Sequence, residues 1–238
     1  MSGFFSKAEQ LWLRLSYSNM IDPKIPSGWF EFHDRLTTHM NGKEIDLKEH
    51  AESHYRILIE KHFKNLRHKK ELPPTWLDLS LKNTILMDLA RSTGFLTVGV
   101  DPSEKYCLSA FAKTHQVEQV DPLFYLRGLE NDTVSGISML RLLDCNSWID
   151  GWKLFKESHR VLVQGGLLLA EYSCLLGGKK TNIEDFFRDP SREKPIHQDY
   201  LKFLCADLGF YDLYFSESVI GSKTTPQQTV YWMHCKKL

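Results

Sequence analysis

The pattern of apolar positions is clearest between residues 76 and 101. A short apolar run that ends at Leu79 predicts a buried strand. Ile85, Leu86 and Leu89 then recur at helical spacing, and the continuous run 96–100 predicts a second strand. This stretch therefore predicts a strand, a helix and a second strand, which is the βαβ unit of a parallel sheet.

The same alternation of strands and helices continues to the end of the chain. Further strands are predicted at 117–121, 134–140, 167–172, 211–220 and 229–235. The last two are joined by a polar loop and predict an antiparallel hairpin, whereas strands that alternate with helices favour a parallel sheet. The sequence therefore predicts an α/β fold with a seven-stranded, mostly parallel sheet and a C-terminal antiparallel hairpin.

The N-terminal part of the chain has a different pattern. Apolar positions within 46–66 repeat every three to four residues and predict a long helix, which the basic run 67–70 and two prolines bring to an end. Shorter helices are predicted before residue 40. We expect an N-terminal helical region over 1–72 and a sheet domain over 73–238.

Two histidines of the long helix raise the question of a metal site. His50 and His54 are one helical turn apart, a spacing that can hold a metal ion. The His-Glu-x-x-His order of zinc peptidases is absent, so a solvated helix face explains both residues better. No metal site is predicted.

Composition and charge narrow the class of protein. Thirty basic and thirty acidic residues give a net charge of +0, so no global field attracts nucleic acid or an anionic membrane. No apolar run approaches the ~20 residues of a membrane span. Five cysteines without a Cys-x-x-Cys pair indicate a reducing compartment. We expect a cytoplasmic globular protein.

Acidic residues follow three of the predicted strands. Asp78, Asp101 and Asp121 each stand at a strand end, where α/β folds bind nucleotides and where two carboxylate oxygens match the diol of a ribose. For each residue alone, capping of the next helix or turn explains the acid equally well. Taken together in this frame, the three acids favour a nucleoside pocket.

These features resemble class I methyltransferases that use S-adenosylmethionine. The resemblance rests on the first βαβ unit with its terminal acid, on Asp121, and on Arg-Val-Leu-x-x-Gly-Gly-Leu-Leu-Leu at 160–169. It implies a Rossmann-like fold with S-adenosylmethionine as cofactor. In that family pattern, Asp78 falls on the acid that opens the cofactor turn, Asp101 on the ribose acid, and Asp121 on the acid at the adenine amino group.

Within this class, the chain looks most like enzymes of bacterial surface-polysaccharide (O-antigen) synthesis. Their usual wording is Asp-Pro-Thr-His-Arg-x-Pro-Leu-His, and residues 189–197 read Asp-Pro-Ser-Arg-Glu-Lys-Pro-Ile-His. The resemblance covers roughly residue 76 to the end, with a looser echo over 29–66. It implies a sugar or glycan acceptor.

One departure from the family pattern concerns the cofactor turn. The family reads Gly-Cys-Gly-x-Gly where 80–84 read Ser-Leu-Lys-Asn-Thr, so Ser80 and Lys82, both assigned to the cofactor, replace glycines. Side chains disfavour positive φ, which costs on the order of 1 kcal/mol or more per strained residue unless the turn follows another path. Bulk at Leu81 or Lys82 would then fill the methionine end of the pocket.

The second departure concerns the chemistry. The family commonly reads His-x-x-Glu-His after the fourth strand, where 141–145 read Arg-Leu-Leu-Asp-Cys. Arg141 is a permanent cation and cannot act as a general base. Arg141, Asp144 and His197 are the candidate catalytic residues, but an ordinary surface pair of Arg141 and Asp144 is an equally good explanation.

Three functions from different classes therefore stay open. The first is a degenerate methyltransferase fold that has lost its cofactor and acts as a non-catalytic or regulatory protein partner in polysaccharide assembly. The second is an active S-adenosylmethionine-dependent O-methyltransferase for a sugar or sugar phosphate, because alkyl transfer needs mainly positioning. The third is binding of another nucleotide, with Lys82 and the lysines at 179–180 near its phosphate.

Overall fold

A computed structural model describes residues 44–67, 74–81, 84–140, 142–172, 195–220 and 228–238. The described helices are α1 (Glu44–Arg67), α2 (Ile85–Thr93), α3 (Glu104–Ala112), α4 (Pro122–Arg127), α5 (Trp148–Val161) and α6 (Gln198–Leu208). The described strands are β1 (Thr75–Asp78), β2 (Leu96–Val100), β3 (Gln116–Glu118), β4 (Val134–Leu140), β5 (Leu162–Tyr172), β6 (Phe210–Ile220) and β7 (Gln228–Lys237).

The strands form one seven-stranded sheet in the order β3-β2-β1-β4-β5-β7-β6. Strands β1 to β5 pair in parallel, and β7 pairs antiparallel with both β5 and β6. The α/β prediction with a C-terminal antiparallel hairpin is therefore confirmed. The chain runs outward from β1 to β3 and then returns to β4, so a topological switch point lies between β1 and β4.

Two predicted strands have different bounds in the structure. The strand predicted at 117–121 ends at Glu118, because Asp121 caps α4 and Pro122 starts that helix. The strand predicted from residue 167 begins at Leu162 and passes through the glycine pair 165–166. An irregularity in the β4–β5 ladder takes up the extra residues, with Gly165 at a φ of 74°.

The two faces of the sheet carry separate hydrophobic clusters. Successive residues of a strand point to opposite faces, so Trp76 packs with α1 and α2 while Leu77 packs on the side of α5 and α6. Trp76 is fully buried and its indole NH donates to the Ser138 hydroxyl at 3.0 Å. A Cβ on Gly136 would lie 2.1 Å from the Trp76 ring, so the neighbouring strand must carry glycine here.

Helix α1, which the sequence places in the N-terminal helical region, packs on the sheet. Tyr55 and Ile59 are buried there, and the His62 ring NH donates to the Ser135 carbonyl at 2.7 Å. Tyr55 also lies against Trp232 of β7, with ring centroids 4.8 Å apart. Since residues 1–43 and 68–73 lie outside the described part, the domain boundary at residue 72 stays a prediction.

Arg160, which opens the Arg-Val-Leu-x-x-Gly-Gly stretch, has a structural role. Its guanidinium donates to the carbonyls of Leu126 and Leu129, both at 2.8 Å, and pairs with Glu157 at 2.7 Å. Carbonyls at the end of a helix lack intrahelical partners, and the planar fork of arginine satisfies several of them at once. Arg160 therefore fixes the end of α4 against α5.

Acidification should destabilise the fold through His62. Burial is the main cause that lowers the pKa of His62 from 6.5 to about 4. The unfolded chain binds the proton first, so stability is fully present above pH 6.5 and decreases as pH falls toward 4, by about 3 kcal/mol in total. We expect His62→Gln, which keeps a donor for Ser135, to reduce this decline in urea unfolding at pH 7 and pH 4.5.

The exposed His197 supplies a matched control for that experiment. His197→Gln leaves His62 in place and should keep the decline of the unmodified chain. If His62→Gln lost as much stability between pH 7 and pH 4.5 as the unmodified chain, burial of His62 would not be the cause of the decline.

Candidate functional site

The carboxyl edge of the parallel strands carries most of the predicted site residues. Asp78 ends β1 and is in register with Gly99 of β2 and Ser138 of β4. Asp101 follows β2 directly, so the two acids lie on adjacent strands beside the switch point. In open α/β sheets this crevice is the ligand-binding position.

Asp78 is fully buried at this edge. Among the residues that the structure describes, neither of its oxygens has a partner in strict hydrogen-bond geometry, although the Ser138 hydroxyl and the Ser80 amide lie close enough to stabilise its charge in part. Burial raises the pKa of Asp78 well above its usual range; the Ser138 hydroxyl and Ser80 amide lower it, and the charge of Asp101 raises it further. A buried carboxyl group that lacks full partners is costly, so this position favours a ligand or a proton over a bare charge.

Asp101 is held firmly by the backbone around it. One carboxylate oxygen accepts the Leu81 amide at 2.9 Å, and the other accepts the Ser103 amide at 2.8 Å. The second bond agrees with the predicted capping role of Asp101, because Ser103 is the residue directly before α3. The first bond joins the acid to the turn after β1. These two hydrogen bonds orient the carboxylate group.

The described residues of the turn after β1 do not show the strain that the missing glycines predict. Of the described residues other than glycine, only Thr114, Asp132 and Asp212 have positive φ, so Ser80, Leu81 and Thr84 all adopt ordinary backbone angles. At these three positions the turn follows a path that side chains can adopt. Lys82, the other cofactor candidate, lies outside the described residues.

Leu81, one of the two residues expected to fill the methionine end of a pocket, packs in the core, and the same expectation for Lys82 stays a prediction. The Leu81 side chain is 1% exposed and packs with Met87, Cys107 and Ala110 between α2 and α3. A Cβ on Gly99 would lie 2.5 Å from a Leu81 methyl group, so the side chain lies flat on β2. Leu81 therefore anchors the turn to the core because its apolar surface is better buried there.

The far end of the turn is tied by a polar cluster that the sequence pattern did not reveal. The Thr84 hydroxyl donates to Asp88 at 2.9 Å and accepts from the Lys113 ammonium at 3.2 Å. The His115 ring lies 2.9 Å from the same Asp88 carboxylate. These residues are distant in sequence and show no shared motif, so only the fold brings them together.

Asp121, the predicted adenine contact, is the N-cap of α4. Its side chain accepts the Phe124 amide at 2.8 Å, and Pro122 occupies the first helical turn. Asp121 lies beyond β3 on the same edge as Asp78 and Asp101. The capping explanation thus accounts for this acid, and its role toward a nucleobase stays a prediction.

On the acceptor side, Asp144 lies in a short 3₁₀ turn, Leu143–Cys145, between β4 and α5. Its side chain is fully buried, so a pair with Arg141 would not lie on an open surface, and the pairing itself stays a prediction. Arg141 lies outside the described residues. The sequence marks Asp144 as a candidate site residue, but the spacing of residues 141–145 alone does not predict that its side chain is buried.

His197 begins α6, which runs from the carboxyl edge beside β6. Its ring Nδ1 accepts the Asp199 amide at 3.1 Å and lies 3.6 Å from the Asp199 carboxylate. An Nδ1 that accepts from an amide leaves the proton of the neutral ring on Nε2. His197 is thus the N-cap of α6, and its catalytic role stays a prediction.

Ser138 is the residue of this edge that sequence reasoning missed. It is fully buried in β4, accepts from Trp76 and lies beside Asp78. A hydroxyl inside the apolar run 134–140 is the only sequence signal that marks it.

Two further findings concern metal ions and membranes. Within the described ranges, no group of three or more histidine, cysteine, aspartate or glutamate side chains is placed to hold a metal ion. None of the helices described by the structure is long and apolar enough to cross a membrane.

Solved structures identify the class of fold. No family model matches the chain, and no curated protein matches it significantly. It is similar to an S-adenosylmethionine-dependent methyltransferase from Archaeoglobus fulgidus, with a TM-score of 0.60 and 17% identity over 79% of this chain and 97% of that one. A second such enzyme, from Methanosarcina mazei, gives 0.56 and 16% over 73% and 97%.

A third similar structure contains bound ligands. It is the 1,6-didemethyltoxoflavin-N1-methyltransferase of Burkholderia thailandensis with 1,6-didemethyltoxoflavin and S-adenosylhomocysteine, with a TM-score of 0.53 and 10% identity over 91% of this chain and 93% of that one. The chain therefore has the Rossmann-like fold of S-adenosylmethionine-dependent methyltransferases, as its sequence predicts.

The buried carboxyl group should make stability depend on pH in a second way. Because the pKa of Asp78 is raised in the folded state, the folded chain keeps its proton longer than the unfolded chain. Its contribution is most favourable at low pH and is lost as pH rises through the folded-state pKa. We expect Asp78→Asn to be more stable than the unmodified chain at pH 8, with a difference that shrinks toward pH 4 in thermal unfolding. A constant difference would contradict this account.

Proposed function

We propose that the chain binds S-adenosylmethionine at the carboxyl edge beside Asp78 and Asp101 and transfers its methyl group to a hydroxyl acceptor. The observation that carries this proposal is the juxtaposition of these two buried acids at the switch point, with the turn between β1 and α2 tied to Asp101. The fold likeness supports a cofactor of this class.

The packing of the described turn residues supports a pocket that can take a cofactor over a pocket that the turn itself fills. Leu81 is packed into the core below the edge, and Ser80 and Thr84 lie on unstrained backbone, so the loss of glycines has not filled the space above the acids with Leu81. Asp101 is held by two amides, which fixes the direction in which it faces a ligand. A group fixed before binding loses little conformational entropy on binding.

The chemistry asks little of the protein beyond positioning. The sulfonium group of S-adenosylmethionine supplies an activated methyl group, and the acceptor oxygen loses its proton as it takes up the methyl. On the acceptor side, His197 would orient a hydroxyl through Nε2–H, and the Asp144 carboxylate would take the proton as general base, with S-adenosylhomocysteine as the leaving group. In-line transfer between two held reactants gains most of its rate from geometry.

The finer identity of the acceptor rests on the resemblance at residues 189–197. These residues support a sugar or sugar phosphate of bacterial surface-polysaccharide synthesis as the acceptor. They also support a location in the cytoplasm, where activated sugars are made.

A second candidate is a non-catalytic partner in the same polysaccharide assembly. Arg141 stands where a titratable histidine is common in the resembling enzymes, and Asp144 is fully buried rather than open to a substrate. These observations favour a chain that binds the cofactor or its product but transfers no methyl group.

Cofactor binding is tested by calorimetric titration. We expect S-adenosylmethionine and S-adenosylhomocysteine to bind the unmodified chain, and Asp101→Ala to weaken both by roughly 10- to 150-fold, because loss of a charged acceptor costs roughly 1.5–3 kcal/mol. Asp132→Ala, which removes an exposed acid at the opposite edge, is the matched control. Absence of heat with either ligand would exclude the proposal.

Methyl transfer separates the two candidates. We expect label from methyl-labelled S-adenosylmethionine to enter a glycan or sugar-phosphate fraction, and Asp144→Asn to slow transfer by about 10²-fold with unchanged cofactor affinity, the usual loss for a general base. Binding without transfer to any glycan fraction would favour the non-catalytic partner. Equal transfer by Asp144→Asn would remove Asp144 from the mechanism.

A further inference from the structure

The four residues Thr84, Asp88, Lys113 and His115 form a connected cluster, here called the clasp. It joins the first residues of α2 to the segment that leads into β3. Thr84 is 3% exposed and the His115 side chain is fully buried, whereas the Asp88 side chain is 41% exposed and Lys113 is exposed. Each of the three contacts therefore joins a buried partner to one that reaches water.

Thr84 uses its hydroxyl for the clasp instead of for its helix. It occupies the N-cap position of α2, where a threonine oxygen ordinarily accepts a backbone amide from the first turn. In this structure it makes no such side-chain cap. The hydroxyl instead donates to Asp88 and accepts from Lys113, so helix capping does not explain its orientation.

The segment that supplies Lys113 and His115 is held in a strained form. Thr114 has a φ of 65°, a left-handed conformation that β-branched residues rarely adopt. The Arg91 guanidinium donates to the Lys113 carbonyl at 3.2 Å and to the Thr114 carbonyl at 3.3 Å. Thr114 follows Lys113, the C-cap of α3, and its left-handed backbone lets the His115 amide donate to the Ala110 carbonyl at 3.2 Å, so it closes the helix and holds Lys113 and His115 in place.

Burial also fixes the ring state of His115. Desolvation is the main cause that lowers the pKa of His115, and the charge of Arg91 lowers it further. A neutral ring that faces a carboxylate must carry its proton on Nε2, so this nitrogen donates to Asp88.

We infer that Lys113 and His115 are positioning residues for the cofactor: through Thr84 and Asp88 they fix one end of the β1–α2 turn, while Asp101 fixes the other end through Leu81. This inference rests on the proposed function for its ligand but not for its geometry. Neither residue touches the candidate site, so both act through the clasp.

Hydrogen exchange of the ligand-free chain tests the geometry. Thr84→Val removes the hydroxyl at nearly constant volume, and it should lower protection of the Leu81 and Asp88 amides about tenfold, since those amides bond to Asp101 and to the Thr84 carbonyl. Thr84→Ser keeps the hydroxyl and should restore protection. Thr93→Val, whose hydroxyl bonds within the same helix, is the matched control and should leave both amides protected.

Affinity for S-adenosylhomocysteine tests the positioning role. We expect Thr84→Val to weaken binding about tenfold and Lys113→Ala and His115→Gln about three- to tenfold, with Thr84→Ser and Thr93→Val close to the unmodified chain. Thr84→Val and Lys113→Ala together should weaken binding less than the product of their separate effects, because they break the same contact.

The two measurements separate the failures. If the unmodified chain binds and Thr84→Val binds equally well, the positioning role is overturned, whatever the exchange shows. If the unmodified chain does not bind, the proposed function fails, and unchanged exchange in Thr84→Val would overturn the clasp as well. If Thr84→Val increases exchange but no variant binds the ligand, Lys113 and His115 are not positioning residues for a cofactor.

Discussion

The burial of two acids on adjacent strands is the constraint around which the carboxyl edge is built. A carboxyl group enclosed without full hydrogen-bonding partners is energetically costly, and Asp78 is in that position in the described structure. Asp101, by contrast, is matched by two backbone amides. Beside the switch point, the fold therefore keeps Asp78, whose burial is costly, next to Asp101, whose oxygens accept hydrogen bonds. Packing alone would favour an apolar residue at position 78, so the ligand proposal gives a reason for its presence.

The turn between β1 and α2 shows how a fold can compensate for lost glycines. Its described residues avoid left-handed angles, and its hold on the sheet comes from an apolar anchor at Leu81 and polar ties at both ends. Glycine-rich turns gain close approach to a ligand but lose backbone entropy on folding. This chain has side chains at positions 80, 81 and 84 instead, and those at 81 and 84 hold the described ends of the turn.

The sheet could be predicted from the sequence because its signal is local. Apolar strands and amphipathic helices alternate, and the acids after β1 and β2 stand where parallel strands end. The burial of Asp144 and the direction of Leu81 could not be predicted, because both depend on which helix packs over which strand. The cluster of Thr84, Asp88, Lys113 and His115 joins residues up to 31 positions apart in the printed sequence, and such contacts leave no periodic trace. Asp121 is the opposite case, because its contact is local in sequence: it caps the helix that begins at the next residue.

The contact between Trp76 and Gly136 restricts how this chain can diverge. The indole lies flat over a glycine that has no room for a Cβ, and its NH is committed to Ser138 on the same strand. A smaller residue at 76 would leave a cavity and an unused hydroxyl, and a larger one at 136 would displace the ring. The residues at 76, 136 and 138 can therefore change only together. Among related sequences, a correlated set of residues at these three positions would indicate common ancestry more reliably than the acids do, because an acid that caps a helix can arise independently.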